Sequence, residues 1–154
     1  MIAIFKKYCN DNQLFNAEDN ILLTVSGGRD SVFMVQLFLA AKFNFGIAHC
    51  NFKLRGKDAD LDEEFVKNLA SKHNSPFYVT HFNTTAFAAK NGISIQMAAR
   101  ELRYKWFDEI SNKNNYQFIA TAHHKNDVAE TMLINLVKGT GLAGLHGISN
   151  KKGK

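Results

Sequence analysis

Proline, cysteine and tryptophan are scarce in this chain. Its 154 residues include one Pro (Pro76), one Trp (Trp106) and two Cys (Cys9 and Cys50). One proline leaves no Pro-rich linker or recognition segment. Two isolated cysteines make neither a C-x-x-C nor a zinc-ligand spacing, and they suit a reducing compartment. Long apolar runs are also missing. The longest, Val32 to Ala41, is interrupted by Gln36 and falls well short of the roughly 18 residues that span a bilayer, so no membrane partner is expected. Met1 to Lys7 shows no apolar stretch with a cleavage site, so a secretory signal is not expected and the cytoplasm is the expected compartment. No G-x-x-x-x-G-K-[ST] occurs, which excludes a Walker-type phosphate loop.

Charge is the next thing in short supply. The formal net charge is +5, but Lys151, Lys152 and Lys154 lie in the last four positions and without them it falls to +2. Such a field tolerates an anionic substrate without itself indicating nucleic acid. What is plentiful is apolar residue: 45% of the chain, 13 Phe among them, enough to bury a core and to exclude disorder.

The apolar residues recur as alternating strands and helices. Ile21 to Val25, Phe45 to Cys50, Phe77 to His81 and Tyr116 to Ala122 read as buried strands. Between them lie helical patterns. Asp30 to Ala41 is apolar nearly all round, and Leu61, Phe65 and Leu69 form a stripe after an acidic turn at Asp58. Ser94 can cap a long helix carrying Ile95, Ala98, Ala99, Leu102, Trp106 and Ile110 inward, and Asp127 to Lys138 is a further helix. The expected fold is α/β, a mostly parallel sheet with helices on both faces. Residues 1–20 are expected to be a helix (Ile2 to Cys9) and a loop, with residues 21–154 as the domain proper.

In such sheets ligands bind beyond the carboxyl ends of the strands. There stand Ser26-Gly27-Gly28-Arg29-Asp30-Ser31, then His49-Cys50-Asn51, His81 and Ala122-His123-His124. Two glycines between strand and helix let backbone N–H groups approach an anion, and the helix aims its positive end at the same point. Asp30 would repel phosphate directly, and a bridging Mg²⁺ accounts for it. The bland alternative is a Gly-rich turn with Ser26 as N-cap. Asp127 and Glu130, three apart, share a face at the start of their helix. They either complement the helix dipole or, near Asp30, help hold Mg²⁺. Arg100 and Arg103 fall on a face with Phe107, suited to phosphate or to solvent paired through Glu101 and Lys105. The basic loop Phe52 to Lys57 is either a solvated turn or a border of the site. Gly139 to Gly144 matches G-x-G-x-x-G but follows a helix, so it is no dinucleotide fingerprint.

Taken together these segments resemble a known family. Ser26 to Ser31 is similar to the SGGxDS loop of the PP-loop, or N-type, ATP pyrophosphatases, whose fold is adenine nucleotide alpha hydrolase-like. Within them the chain resembles the tRNA(Ile)-lysidine synthases through that loop, Leu54-Arg55-Gly56, Asp62 to Val66, Ala98 to Tyr104, the HHxxDxxET pattern of Ala122 to Thr131, and Gly139 to Ile148. The resemblance runs from about Ile21 to Ile148. It implies that ATP is bound by Ser26, Gly27, Gly28, Arg29, Asp30 and Ser31, with Ala48 and His49 near adenine. It implies Mg²⁺ at Asp30 and Asp127, and catalysis or lysine recognition by Asp30, Arg103, His123, Asp127 and Glu130. The implied reaction joins L-lysine to C2 of the wobble cytidine of a CAU-anticodon tRNA(Ile), through an adenylated cytidine, releasing pyrophosphate and AMP. Two departures stand out: Phe52-Lys53 where many members have His-Gly, and Ala143 where they have a basic residue. The family also continues beyond this length, so the expectation is a catalytic domain truncated before its last strand. The rivals are a tRNA thiolase, an amidotransferase-type synthetase, or an ATP-binding fragment without turnover. Oligomeric state is left open, a homodimer included.

Overall fold

In a computed structural model of the chain, residues 1–122 are described. They form nine elements: α1 (Ile2–Asp11), β1 (Asn20–Thr24), α2 (Arg29–Ala41), β2 (Asn44–Asn51), α3 (Lys57–Lys72), β3 (Phe77–His81), α4 (Thr84–Asn91), α5 (Ile95–Lys113) and β4 (Phe118–Thr121). The four strands make one parallel sheet in the order β3-β2-β1-β4. Parallel neighbours need crossovers, and right-handed crossovers put successive helices on one face while the chain runs one way across the sheet. From β1 through β3 it runs one way. It then returns through α4 and α5 to place β4 on the far side of β1, so the carboxyl ends of β1 and β4 mark the switch point where ligands bind.

Alternation along the strands divides the core in two. On one face Leu22, Ala48, Phe107 and Tyr116 cluster, with Cys50, Tyr78, Trp106, Ile110 and Ile119 packed around them. Tyr116 reaches so close to the backbone of β2 that a Cβ on Gly46 would collide with its hydroxyl, which is why that strand carries glycine there. Burial pushes the Tyr116 hydroxyl pKa up, and its neighbour Tyr78 adds to the shift. On the other face Phe38 of α2 is ringed by Phe5, Phe15, Phe43 and Phe45, with ring centroids 5.5 to 6.2 Å apart. Much of the phenylalanine excess is spent there, joining α1 and the loop after it to α2.

Two helical stripes differ from expectation. In α3 the buried residues are Ala59, Val66 and Ala70, while Leu61 and Phe65 are 63% and 48% exposed. Both sets have helical spacing. The smaller set lets α3 lie close to β2 and β3, whose last residues Asn51 and His81 bond to its acids. In α5 the most buried aromatic is Phe107 rather than Trp106, so the face carrying Arg103 and Phe107 turns inward and Ile95 stays exposed. Likewise α2 buries Met34, Val35, Phe38 and Ala41 but leaves Phe33 exposed, so it is one-sided among the described residues.

Candidate active site

The phosphate-loop candidate lies where β1 ends. Val25 N–H donates to the Ala48 carbonyl at 2.9 Å, extending the β1–β2 ladder one residue past the strand. Buried His49 donates from Nδ1 to the Val25 carbonyl at 2.8 Å; a carbonyl only accepts, so Nδ1 carries a proton. Strand one is therefore tied firmly up to the residue before Ser26. The chain then turns at Gly27, whose φ of +94° an L side chain rarely adopts.

Within the turn, Gly28 N–H donates to Ser26 Oγ at 3.3 Å, and Ser31 Oγ donates to the Gly28 carbonyl at 2.8 Å. The two serine hydroxyls lie 3.4 Å apart. Helix α2 starts at Gly28 with no side-chain cap, so Ser26 does not serve as its N-cap, and Asp30 sits in the first turn. The N–H groups of that first turn point out of the helix, the arrangement that takes an anion. By contrast α4 and α5 begin with capping side chains that use up such groups: Asn83 accepts from Ala86 N–H and Ser94 from Met97 N–H.

Ala48 and His49 are both buried at the end of β2. Their side chains face opposite sides of the sheet, Ala48 into the cluster with Phe107 and His49 onto Val25. Arg103 is half-buried with its guanidinium 5.2 Å above the Phe52 ring, and Phe52 stacks on Phe82 at 5.6 Å. Arg100 turns away and lies over Tyr104. Glu101 and Lys105 form no ion pair with each other among the described residues. Arg103 also faces Cys50: burial pushes that thiol up to about 12, and the guanidinium only partly offsets it, so Cys50 is no nucleophile at neutral pH. Cys9 is buried and its thiol is likewise raised. His123, Asp127 and Glu130, with the Gly139 to Ile148 segment, lie outside the described residues.

A second polar cluster was only half visible in the sequence. Buried Asn51 donates to Glu63 at 2.9 Å and to Asp60 at 3.2 Å, and His81 Nε2 meets the same Glu63 oxygen at 2.8 Å. Burial opposes ionisation of Glu63, but the hydrogen bonds from Asn51 and His81, with charge from His81 and His49, hold its carboxyl below the usual range. Asn51 and His81 were legible as strand-end residues; Glu63 was not, because its partners are 12 and 18 residues away.

Among the described residues no group of three or more His, Cys, Asp and Glu could cage a metal ion. A Mg²⁺ carried on nucleotide phosphates takes only one or two protein carboxylates. Asp30, the acid of the loop itself, fits that part.

A glycine turn leading into an open helix start at the switch point of a parallel sheet is the geometry of an α/β protein that binds an anionic ligand such as a nucleotide's phosphates. The chain belongs to the PP-loop domain family, whose match spans residues 3–154. It is 45% identical over 147 residues to the tRNA(Ile)-lysidine synthase of Bacteroides thetaiotaomicron, covering 96% of this chain and 34% of that protein. It is 39% identical over 153 residues to the one from Parabacteroides distasonis, covering 99% and 35%. With the one from Chlorobaculum tepidum it shares 42% over 139 residues, covering 88% and 42%. The chain thus spans about a third of the length of the first two relatives. Among solved structures it is similar in fold to an NH3-dependent NAD synthetase from Campylobacter jejuni, with a TM-score of 0.56 and 17% identity over 89% of this chain and 74% of that one. No helix of the described residues is long and apolar enough to cross a membrane.

Proposed function

We propose that this chain is the ATP-using catalytic part of a tRNA(Ile)-lysidine synthase working in the cytoplasm. It would ligate L-lysine to C2 of the wobble cytidine in CAU-anticodon tRNA(Ile). What carries the reading is an uncapped helix start behind a glycine turn at the sheet's switch point, in a chain 45% identical to a protein of that name.

In this reading Ser26 to Ser31 cradle the ATP phosphates through backbone N–H groups and the two hydroxyls, with the positive end of α2 behind them. Ala48 and His49 border the adenine. Asp30, joined by Asp127, would hold Mg²⁺, which supplies neutralisation of phosphate charge. The cytidine C2 oxygen attacks the α-phosphorus and the bond to pyrophosphate breaks. Arg103 places a guanidinium, already stacked on Phe52, where negative charge grows on the phosphoryl oxygens. Lysine's ε-amine, its ammonium proton passed to Asp127 or Glu130, then forms the bond to C2 and AMP departs with the oxygen. Asp127 and Glu130 would recognise the incoming ammonium, and His123 is the further residue that the resemblance assigns to catalysis. No covalent enzyme nucleophile is needed, in keeping with the unreactive Cys50.

The test is pyrophosphate release by the full-length gene product. Release is expected only when ATP, L-lysine and CAU-anticodon tRNA are all present. Release driven by a sulfur donor or by ammonia, with lysine inert, would replace this reading with a thiolase or an amidotransferase-type synthetase.

A further inference from the structure

We propose that Arg55 is an additional phosphate-binding residue of this site, one that exchanges an internal carboxylate for the β- and γ-phosphate oxygens of ATP. The proposal rests on the ATP-using reading above and adds a residue to it.

The basic stretch Phe52 to Lys57 left two readings open, a solvated turn or a wall of the site. The fold decides between them through Asp62. Arg55 Nη2 donates to Asp62 Oδ2 at 2.7 Å. The other oxygen of that carboxylate, Oδ1, lies 3.2 Å from where a Cβ on Gly27 would stand. A single carboxylate therefore separates the Arg55 guanidinium from the turn that cradles phosphate. Gly27 has to be glycine twice over, for its φ of +94° and for the approach of Asp62.

A carboxylate wedged against a polyphosphate site repels its ligand unless a cation accompanies it. Arg55 supplies that cation, and among the described residues Asp62 is the hydrogen-bond partner of its side chain. A guanidinium has five N–H donors in a planar fork, so most of its donors remain for phosphate oxygens. Its side chain is 68% exposed, and swinging it from Asp62 to a ligand costs little burial. The two backbone kinks that shape this loop, Lys53 at φ +52° and Gly56 at φ +52°, bring Arg55 back over the start of α3 beside Asp62. Arg103 is a different kind of arginine, half-buried and fixed over an aromatic ring.

Calorimetric titration of Mg²⁺-ATP and of AMP against wild type, R55A, R55Q, D62N and R55A/D62N tests this. R55A and R55Q are expected to weaken ATP about tenfold or more, the scale of a lost charge-assisted contact, while AMP, which lacks the β- and γ-phosphates, binds as in wild type. D62N should bind ATP as well as wild type or better, and the double variant as poorly as R55A. Unchanged ATP affinity in R55A overturns the proposal. So does a double variant restored to wild type, since Arg55 would then serve only to neutralise Asp62. D62N as weak as R55A overturns it too, making the pair a mere buttress of Gly27, as does equal loss for ATP and AMP. If wild type binds no ATP at all, the ATP-using reading itself falls, a result distinct from all of these.

Discussion

Helices α2 and α5 begin in opposite ways. Ser94 accepts a hydrogen bond from Met97 N–H and closes the start of α5, whereas α2 starts at Gly28 with no side-chain cap although Ser26 and Ser31 are at hand. Those hydroxyls are turned to the loop itself. A capping side chain is worth about 1 kcal/mol over alanine and a few tenths over the glycine that starts α2, so leaving α2 open forgoes a little stability in exchange for N–H groups that can meet a ligand. The sheet explains why the two differ. Helix α2 leaves the carboxyl end of β1 at the switch point, while α5 follows α4 without an intervening strand.

The comparison can be broken most forcefully at Gly27. Gly27→Val puts a branched side chain at φ +94° and against Asp62, and Mg²⁺-ATP affinity measured by calorimetry should fall on the order of a hundredfold. Gly28→Asp is the sharper probe. Gly28 has the extended dihedrals of an N-cap and space for a Cβ, so the new carboxylate should cap α2, adding a few tenths of a kcal/mol. The same change should cost at least about tenfold in ATP affinity through charge repulsion. Stability and affinity would then move in opposite directions.

A paired substitution comes next. Ser94→Ala should lower stability by about 1 kcal/mol in denaturant melts with ATP binding intact. Ser26→Ala should shift stability by less than about 0.5 kcal/mol yet weaken ATP several-fold. If the two serines behaved alike, the contrast between capped and open helix starts would collapse.

The smallest effect concerns α3, which also starts uncapped, at Gly56, and is held by Asn51 and His81 instead. Glu63 has a folded pKa below its unfolded value. Its contribution is therefore complete above the unfolded pKa of about 4.3 and is lost as pH falls through the lower folded value. Glu63→Gln should flatten the acid side of a stability-versus-pH curve below about pH 4.3, with a change of about 1 kcal/mol or less near neutrality.

Strand and helix identity was legible because periodicity reports burial directly: each described strand and the helices α1, α2, α3 and α5 fall where the apolar pattern put them. Short α4 went unread, its eight residues carrying too little pattern. The stripe of α3 was misread for a physical reason: two interleaved sets had helical spacing, and the larger side chains drew the inference although close approach to β2 favours Ala59, Val66 and Ala70. In α5 Trp106 packs against the core cluster as its stripe predicts, and Phe107 on the adjoining face is buried more fully, a matter of fit rather than hydrophobicity.

The sequence alone determined the alternating α/β order and the glycine turn after β1, because these rest on local spacing and on residue types with few other uses. The tertiary structure decided the rest. It set β1 between β2 and β4, locked His49 onto Val25, laid Arg103 over Phe52, and brought Asp62, with Arg55 bonded to it, against Gly27. The last three join segments 24 to 51 residues apart in the chain, a separation over which no periodicity carries information.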